Sequence, residues 1–541
     1  MLEGCAFWPA DVAGRYRQDG YWLGRSLGDL LARSCADNAA KTAVVSGGRR
    51  ITYGELGAGA DRLASGLLGL GLRPLDRIVV QMPNLPELMT VLLAVFRAGV
   101  IPVLALPGHR KNEIVHLCAH SGAIGYLAMD DFCGQDYRAL AREVCEEVPG
   151  IRHVLISGDP QEFTSLESLA LTGQQTDGAD EFAPVDPSDP ALFLLSGGTT
   201  GLPKLIPRTH DDYAYNMLAT ARGLRIGPDD VYLAVNPAAH NAALGCPGVL
   251  GTLLVGGKVV LAAGPRPQEA FELIRREEVT LTTLVPPLVR MWVDAAEKEP
   301  VDLSALTLQV GSSKFNPAEA ERARKVLGCR LSQWYGIGEG LLTYTRLDDP
   351  DDIVFGTEGR PMAAADEIRV CDPVTGQELP DGTEGELCTR GPYTIRGYYD
   401  APEVNARSFT ADGFFRTGDL VVRRPDGNIV VTGRLKDVIN RAGDKVPAEE
   451  VEKYLLTHPS VQDAAVVGMP DPVLGERSHA FVLTHDGALR GPALKAFLRT
   501  CGLATYKIPD KVLLRDAFPY TAVGKVDKGA LRAALEVRPT G

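Results

Sequence analysis

The stretch that decides the fold is LSGGTTGLPK, residues 195–204. It follows an apolar run, residues 191–195, which predicts a buried strand. Within the next nine residues come three glycines, three hydroxyl side chains and one lysine. Glycines let backbone N–H groups turn toward an anion, and the hydroxyls and the lysine add donors and charge. This composition is typical of a phosphate-binding loop outside the Walker pattern. A flexible surface loop has the same composition, so the stretch alone leaves both interpretations open.

Strand and helix signals alternate on the N-terminal side of this loop. Apolar periodicity and capping residues predict helices over residues 26–36, 52–70 and 86–98. Short apolar runs predict strands over residues 77–82 and 100–106. Strands that alternate with helices of this length are typical of a parallel sheet with crossover helices.

Several predicted strands after the loop end in small or polar residues. They are residues 231–235, 306–311 and 330–334, followed by the segments 236–248, 312–314 and 335–340. In an open α/β sheet, ligands bind at the carboxyl ends of the strands. We therefore expect these segments to contribute to one shared site.

The character of the chain changes twice toward the C-terminus. From about residue 355, short strand-like runs alternate with Asp-Gly turns, which predicts a small β-rich lobe. A charged break at residues 434–437 precedes a compact α/β pattern. The predicted fold is α/β, with a large N-terminal domain of parallel sheets plus the β-rich lobe over residues 1–433. A small α/β domain over residues 434–541 follows.

Composition narrows the class of protein and its compartment. The 541 residues are 45% hydrophobic and 23% charged, with a net charge of −13, which disfavours nucleic acid or an anionic membrane as a partner. The first fifteen residues do not match a signal peptide, and no apolar run is long enough to span a bilayer. Ten scattered cysteines without C-x-x-C pairs predict reduced thiols and a cytoplasmic protein.

Three further side chains could carry chemistry. Glu339 lies between two glycines, and its carboxylate could bind Mg²⁺ that bridges phosphate oxygens. Asp419 could accept hydrogen bonds from ribose hydroxyls. Lys525 lies in a Gly-containing turn and could reach a developing negative charge. A turn glutamate, a turn aspartate and a surface lysine are commoner explanations, so none of the three decides the function alone.

The motifs gain specificity from their order and spacing. They are residues 196–204, 335–339, Tyr398 with 417–419, 433–437 with Asn440 and Gly443, and 519–525. From about Ser26 onward the chain resembles the adenylate-forming enzymes, which include acyl- and aryl-CoA synthetases, nonribosomal-peptide adenylation domains and luciferases. Five segments resemble the stand-alone aryl-acid ligase branch, namely residues 239–248, 284–288, 314–315, 344–350 and 390–399.

The resemblance implies two half-reactions that use ATP and Mg²⁺. A carboxylate attacks the α-phosphate and releases pyrophosphate, and then a thiol attacks the acyl-adenylate and releases AMP. The thiol belongs to CoA or to the phosphopantetheine of a separate carrier protein. Such chemistry depends on alignment and on charge neutralisation at the α-phosphate.

The same resemblance implies roles for individual residues. The set that binds ATP or AMP is Ser196, Gly197, Thr199, Thr200, Lys204, Gly311, Tyr335, Gly336, Asp419 and Arg434, with Glu339 as the ligand of Mg²⁺. Lys525 would bridge the carboxylate and the α-phosphate. Lys436 would be the hinge of a mobile C-terminal domain, which would present Asn440 and Gly443 in the thiol step.

The acid pocket implied by the resemblance consists of His240, Asn241, Ala242, Cys246, Ser313, Lys314, Trp334, Gly338 and Leu342. Enzymes for 2,3-dihydroxybenzoate typically have Ser at the position of Cys246, and enzymes for salicylate resemble this chain in having Cys. A thiol is a weak hydrogen-bond partner, so we expect salicylate to be the acid. Ordinary buried packing is the alternative explanation for Cys246.

Other pocket positions depart from the usual pattern. Ala242 stands where a bulky aromatic is common, and Trp334 where a small aliphatic is common. Gly338 and Ser313 also differ from the usual residues. A reshaped pocket leaves 3-hydroxyanthranilate or another substituted salicylate open, beside 2,3-dihydroxybenzoate. A non-catalytic homologue is the remote alternative, which Lys525, Glu339, Asp419 and Lys204 disfavour.

Overall fold

The computed structural model describes residues 2–172, 182–196, 203–312, 315–441, 444–471, 474–501, 503, 505–521 and 524–536. The chain forms two compact units. The first holds the described residues up to 367 together with 389–415, and the second holds 368–388 and 416–536.

The larger of the two main sheets in the first unit has nine strands. In spatial order they are Arg360–Pro361, Leu341–Tyr344, Arg330–Ile337, Thr307–Val310, Leu281–Leu284, Val231–Ala234, Lys258–Leu261, Thr42–Ser46 and Arg49–Thr52. Pairing is parallel from Arg330–Ile337 through Thr42–Ser46 and antiparallel at both edges. The carboxyl ends of the central strands therefore meet at one edge.

The second main sheet of this unit has seven strands. In spatial order they are Leu205–Thr209, Pro190–Leu195, Ile101–Ala105, Arg77–Gln81, Gly125–Met129, His153–Ser157 and Thr164–Ser165. All pairs are parallel except the first, whose two strands flank the predicted phosphate loop. A small hairpin pairs Asp131–Phe132 with Gln135–Asp136.

Helices cover these sheets in the order that the alternation predicted. They are Ala10–Gln18, Leu27–Asp37, Tyr53–Gly69, Pro86–Ala98, Lys111–Ser121, Tyr137–Glu147, Leu166–Thr172, His210–Gly223, Asn241–Gly245, Gly248–Leu254, Pro267–Glu277, Pro286–Lys298, Pro317–Leu327, Asp351–Gly356 and Pro402–Ser408. Ser26 and Thr52 cap the second and third helices by accepting from backbone N–H groups three residues on, as predicted.

The strand Arg330–Ile337 is longer than predicted. We expected it to stop at Trp334, because Gly336 and the polar residues after it disfavour a strand. In the structure, residues 334–337 pair antiparallel with Leu341–Tyr344, and the hairpin supplies the missing hydrogen bonds. Glu339 consequently lies in the turn of this hairpin.

The second unit contains most of a four-stranded sheet and all of a five-stranded sheet. The first has the order Glu367–Cys371, Glu384–Arg390, Phe415–Arg423 and Ile429–Arg434. The second has the order Asp444–Pro447, Val438–Arg441, Gly475–Thr484 and Val461–Asp471, with Lys511–Arg515 also paired to Gly475–Thr484. Its helices are Leu435–Asp437, Ala448–Leu456, Gly491–Thr500, Thr505–Lys507 and Lys528–Glu536.

The predicted α/β class and the small C-terminal α/β pattern are confirmed. The β-rich strands over residues 368–388 and 416–434 belong to the same compact unit as the C-terminal residues. The boundary at residue 433 and the hinge at Lys436 stay predictions. Among the described helices, none combines the length and the apolar character needed to cross a bilayer. All ten cysteines lie in described ranges and carry free thiols.

Candidate active site

The base of the predicted phosphate loop is closed by two hydrogen bonds between its ends. The Ser196 N–H donates to the Lys204 carbonyl at 3.0 Å, and the Lys204 N–H donates to Ser196 Oγ at 3.0 Å. The antiparallel strands Pro190–Leu195 and Leu205–Thr209 hold these ends together. Three predicted members of the loop, Gly197, Thr199 and Thr200, lie outside the described residues.

Lys204, Tyr398 and Glu339 form a connected group beside this loop. The Lys204 ammonium lies 4.3 Å from the centroid of the Tyr398 ring. The Tyr398 hydroxyl donates to Glu339 Oε1 at 2.6 Å. Burial and the neighbouring Glu339 raise the pKa of Tyr398, so its hydroxyl keeps its proton. The structure therefore brings together the predicted phosphate lysine and the predicted metal ligand.

Glu339 offers one oxygen for a further ligand. Its Oε2 has no hydrogen bond to any residue that the structure describes, while Oε1 accepts from Tyr398. The backbone is held as well, because the Ile395 N–H donates to the Glu339 carbonyl at 2.8 Å. Within the described ranges, no group of three or more His, Cys, Asp or Glu side chains could hold a metal ion. A cation at Glu339 would need phosphate or water oxygens to complete its shell.

The two predicted ribose ligands are paired in the second unit. Asp419 and Arg434 lie opposite each other on neighbouring antiparallel strands. Arg434 Nε donates to Asp419 Oδ1 at 2.7 Å, and the Asp419 N–H donates to Thr417 Oγ1 at 3.0 Å. Asp419 is only 3% exposed, so its carboxylate is held in a fixed orientation.

Lys525 follows a tight turn whose ends are hydrogen-bonded. The Thr521 N–H donates to the Lys525 carbonyl at 2.7 Å, and the Lys525 N–H donates to Thr521 Oγ1 at 3.2 Å. Gly524 has a φ of 77°, a left-handed conformation that favours glycine at this position. The backbone position of Lys525 is thus defined by local hydrogen bonds.

The predicted hinge and thiol-step residues are described only in part. Lys436 belongs to the short helix Leu435–Asp437, and Asn440 to the strand Val438–Arg441, without a described side chain in either case. Gly443 lies outside the described residues. Asp437 lies 3.9 Å from Lys528 Nζ and 3.7 Å from Arg532 Nη2, which ties this helix to the last helix of the unit.

His240, Asn241, Ala242 and Cys246 are positioned by one short helix, Asn241–Gly245. His240 caps it, with Nδ1 accepting from the Ala242 N–H at 3.3 Å. Asn241 Nδ2 lies 3.8 Å from Cys246 Sγ. Burial raises the pKa of the Cys246 thiol to about 12, so the sulfur is neutral and a weak partner.

Ala242, Cys246, Trp334 and Leu342 belong to one buried cluster, although Leu342 lies about a hundred residues further along the chain than Ala242. Trp334 is 4% exposed and stacks on Tyr344 with ring centroids 5.8 Å apart. The predicted pocket members Ser313 and Lys314 lie outside the described residues.

At Gly311, Gly336 and Gly338, side chains of neighbouring residues lie close to the glycine backbone. A Cβ on Gly311 would lie 2.4 Å from Trp334 Nε1, and a Cβ on Gly336 would lie 2.6 Å from Trp334 Cζ3. A Cβ on Gly338 would lie 2.9 Å from Ile206 Cδ1. The absence of a Cβ at the first two glycines therefore leaves the space that the Trp334 indole occupies. Tyr335, which was predicted to bind ATP or AMP, pairs with Thr343 in the hairpin.

A buried polar network beside the pocket was missed by sequence reasoning. Arg208 Nε donates to Asp212 Oδ1 at 2.8 Å, and Nη1 donates to the Gly338 carbonyl at 3.0 Å. The guanidinium lies 4.9 Å from the Tyr213 ring centroid, and the Tyr213 hydroxyl donates to Asn241 Oδ1 at 2.9 Å. Opposite charges four residues apart, one in the strand Leu205–Thr209 and one in the first turn of the following helix, were the available signal.

A second missed group lies behind Leu342. The Tyr393 hydroxyl accepts from the Leu342 N–H at 2.9 Å and donates to Asp366 Oδ2 at 2.9 Å. Burial raises the pKa of Asp366 to about 7, and Arg346 opposes this rise. Tyr393 thus connects the pocket hairpin to a buried carboxyl group.

An N-terminal aromatic segment, residues 8–22, packs against the same cluster. Tyr21 contacts Tyr215 edge-on, with ring centroids 5.7 Å apart, and Tyr215 in turn lies 5.8 Å from Tyr393. Trp22 Nε1 donates to the Pro392 carbonyl at 2.9 Å. Sequence reasoning assigned no role to this segment, and the density of aromatic residues before Ser26 was the only signal.

Comparison with known families gives two matches. The profile of the AMP-binding enzyme family matches residues 31–399. The profile of the AMP-binding enzyme C-terminal domain matches residues 450–525. The first match covers most of the first unit, and the second ends at Lys525.

Three curated relatives are similar over nearly the whole chain. Triostin synthetase I of Streptomyces triostinicus is 61% identical, with 98% of this chain and 99% of the relative covered. The 2,3-dihydroxybenzoate-AMP ligase of Bacillus subtilis is 50% identical, with 99% and 98% covered. The salicyl-AMP ligase / salicyl-S-ArCP synthetase of Mycobacterium tuberculosis is 46% identical, with 99% and 95% covered.

A solved structure has the same fold. The apo structure of MbtA from Mycobacterium smegmatis superposes with a TM-score of 0.77 at 44% sequence identity. The match covers 98% of this chain and 98% of the solved one.

Proposed function

Because the chain belongs to the AMP-binding enzyme family, as an aryl-acid AMP ligase of the acid–thiol ligase class, we propose that its acid is salicylate or a substituted salicylate. The relatives named for salicylate and for 2,3-dihydroxybenzoate are similar to this chain to nearly the same degree. Sequence identity to these relatives therefore does not distinguish the two acids. The proposal depends instead on the residues of the predicted pocket.

Cys246 is the observation that carries the proposal. Its thiol is completely buried in the pocket cluster, where the Asn241 amide lies 3.8 Å from the sulfur and the Asn216 side chain is a second polar neighbour. A 3-hydroxyl group on the acid would lose its bonds to water and gain only a weak partner in the thiol. Salicylate lacks this hydroxyl, so it loses nothing when it enters.

We propose that the residues predicted to bind ATP hold the nucleotide in the orientation needed for attack of the carboxylate on the α-phosphate. Ser196 and Lys204 lie at the base of the phosphate loop, and Lys204 contributes positive charge near the phosphates. Asp419, held by Arg434, would accept from the ribose hydroxyls. Lys525 would neutralise charge as the carboxylate attacks the α-phosphate and pyrophosphate leaves.

Glu339 fits the Mg²⁺ that the family uses. Its Oε2 is available, and the Tyr398 hydroxyl fixes the carboxylate through Oε1. Mg²⁺ usually takes one or two protein carboxylates, with phosphate and water oxygens filling the remaining positions. When bound, the ion would neutralise charge on the phosphate oxygens.

We propose that the second step transfers the aryl group to a thiol and releases AMP. The M. tuberculosis relative is named for a carrier-protein product, which favours the phosphopantetheine of a separate carrier protein over CoA. The ten free thiols fit a reducing cytoplasm, where ATP is available.

The test is ATP–pyrophosphate exchange with salicylate, 2,3-dihydroxybenzoate, benzoate, anthranilate and 3-hydroxyanthranilate. We expect salicylate to give the highest kcat/KM of the five acids. Lys525→Ala serves as the control and should abolish exchange while ATP binding persists. Highest activity with 2,3-dihydroxybenzoate would contradict the proposed acid, and no exchange with any aryl acid would contradict the adenylation itself.

A further inference from the structure

The indole of Trp334 lies in the wall of the acid pocket in a single, well-defined position. It is 4% exposed and stacks on Tyr344 with an interplanar angle of 19°. Gly311 and Gly336 lie directly beneath its two rings, where any Cβ would approach within 2.6 Å. Rotation of the indole is therefore restricted on both of its faces, and the direction of its N–H group is defined.

The N–H group of Trp334 has no hydrogen-bond partner among the described residues. Its Nε1 atom is buried and makes no hydrogen bond to any residue that the structure describes. The other two mostly buried tryptophans are both satisfied, since Trp22 Nε1 donates to the Pro392 carbonyl and Trp292 Nε1 donates to the Pro265 carbonyl. Burial of a donor without an acceptor is unfavourable, so a native protein rarely keeps one without a reason.

Two acceptors of the predicted pocket region are already engaged. Asn241 Oδ1 accepts from the Tyr213 hydroxyl, and the Cys246 carbonyl accepts from the Tyr344 hydroxyl at 2.9 Å. Arg208 Nη2, whose side chain contacts Tyr213, is another buried donor that has no partner among the described residues. Trp334 Nε1 and Arg208 Nη2 are therefore two buried donors that acceptor atoms of a ligand would satisfy.

We propose that Trp334 Nε1 donates a hydrogen bond to an acceptor atom on the ring of the bound acid. Trp334 is then a specificity-determining residue, and the preferred acid carries a ring nitrogen or a ring-bound oxygen where a simple benzoate presents C–H. This inference rests on the proposed function. The proposed contact of Trp334 is separate from that of Cys246. Cys246 favours an acid without a hydroxyl group on the ring atom that faces the thiol.

The test exchanges one ring CH of benzoate for N at each of its three distinct positions in turn. Wild-type enzyme and Trp334→Phe are compared by ATP–pyrophosphate exchange on salicylate, on these three pyridine carboxylates and on benzoate. Phenylalanine keeps an aromatic ring but has no donor. If the acceptor is a ring nitrogen, one of the three acids should lose about five- to tenfold in kcat/KM relative to benzoate in the variant. If it is the hydroxyl oxygen, salicylate should lose the same factor relative to benzoate.

Trp292→Phe is the matched control. It removes an equally buried indole N–H in the core of the nine-stranded sheet, away from the pocket cluster. Both variants should keep their circular dichroism spectra, and Trp292→Phe should leave every substrate ratio unchanged. Exchange activity with unchanged ratios in Trp334→Phe would overturn the inference while leaving the proposed function intact. Absence of exchange with every acid in the wild type would instead overturn the proposed function. If Trp334→Phe does not fold, Trp334→His, which restores a ring donor, must retain the wild-type order of acids.

Discussion

Cys246 shows how a single side chain can set a preference without making a strong bond. Its thiol has no exposed surface, and burial raises its pKa to about 12, so it is present as a neutral, weakly polar group. Asn241 and Asn216 are its described polar neighbours, and Asn241 is itself held by the Tyr213 hydroxyl. The position therefore tolerates an apolar ring edge better than a hydroxyl group.

We predict that Cys246→Ser raises the kcat/KM for 2,3-dihydroxybenzoate relative to salicylate by about five- to tenfold. The serine hydroxyl can exchange a hydrogen bond with the 3-hydroxyl of the acid, which is worth about 1 kcal/mol. ATP–pyrophosphate exchange with both acids measures the ratio. Cys329→Ser, a buried cysteine in the core of the nine-stranded sheet, is the control and should leave the ratio unchanged. An unchanged ratio in Cys246→Ser would mean that Cys246 does not contact the ring.

At the scale of elements, the N-terminal segment acts as a support for the acid pocket. The helix Ala10–Gln18 precedes Tyr21 and Trp22, and Tyr21 contacts Tyr215, which lies beside Tyr393. Tyr393 binds the backbone of Leu342 in the pocket hairpin. Arg17 anchors the segment further by donating to Asp211 Oδ2 at 2.6 Å.

Tyr21→Ala should therefore raise the KM for the acid about three- to tenfold, while the KM for ATP changes little. Loss of the ring leaves Tyr215 unsupported, and such packing defects cost about 1–3 kcal/mol. Steady-state kinetics with each substrate varied in turn separates the two effects. Leu23→Ala, at a position that is 52% exposed, should behave as the wild type. Equal changes in both KM values would indicate a general folding defect instead of a pocket support.

At the scale of the whole molecule, the predicted site residues are divided between two compact units. Ser196, Lys204, Glu339 and the acid pocket belong to the first, and Asp419, Arg434 and Lys525 to the second. A hinge at Lys436 would lie inside the second unit, so it would move Lys525 relative to Asp419 and Arg434 between the two half-reactions. We propose that Lys436, in the short helix Leu435–Asp437, is the position at which the chain turns.

Lys436→Pro should slow thioester formation at least about tenfold and leave adenylate formation within about threefold. Proline fixes φ near −65°, which removes backbone freedom from one residue. Lys436→Ala removes the same side chain and keeps that freedom, so it should transfer normally. Pyrophosphate exchange measures the first step, and loading of a carrier protein or of CoA measures the second. Normal transfer by the proline variant would exclude a hinge at this residue.

The parts that were predicted correctly depend on neighbours in the chain. The helix Pro86–Ala98 has its predicted bounds, because apolar periodicity and a proline at the first turn are local features. Ser26 and Thr52 cap their helices for the same reason. The strand at Trp334 was predicted too short, because residues 335–337 become a strand only when Leu341–Tyr344 pairs with them.

The sequence predicted the residues of the candidate site, but it did not predict the residues that hold them in place. Lys204, Glu339 and Asp419 were identified from motifs, whereas Arg208, Tyr213 and Tyr393 were missed. Arg208 contacts Gly338 across 130 residues of sequence, and Tyr393 contacts Leu342 across 51. The spacing of residues along the sequence does not predict such contacts.

The amino-acid sequence by itself determined the α/β class, the order of the elements and the chemical character of the loop at residues 195–204. Periodicity, capping and motif spacing act between residues close in the chain, so a single sequence displays them. The folded structure was needed to show that Tyr21 contacts Tyr215, and that Trp334 lies over Gly311 with no partner for its N–H group among the described residues. These contacts depend on packing between segments that are distant in the chain. The packing energy is a sum over many neighbouring side chains, and a single sequence does not show which side chains become neighbours.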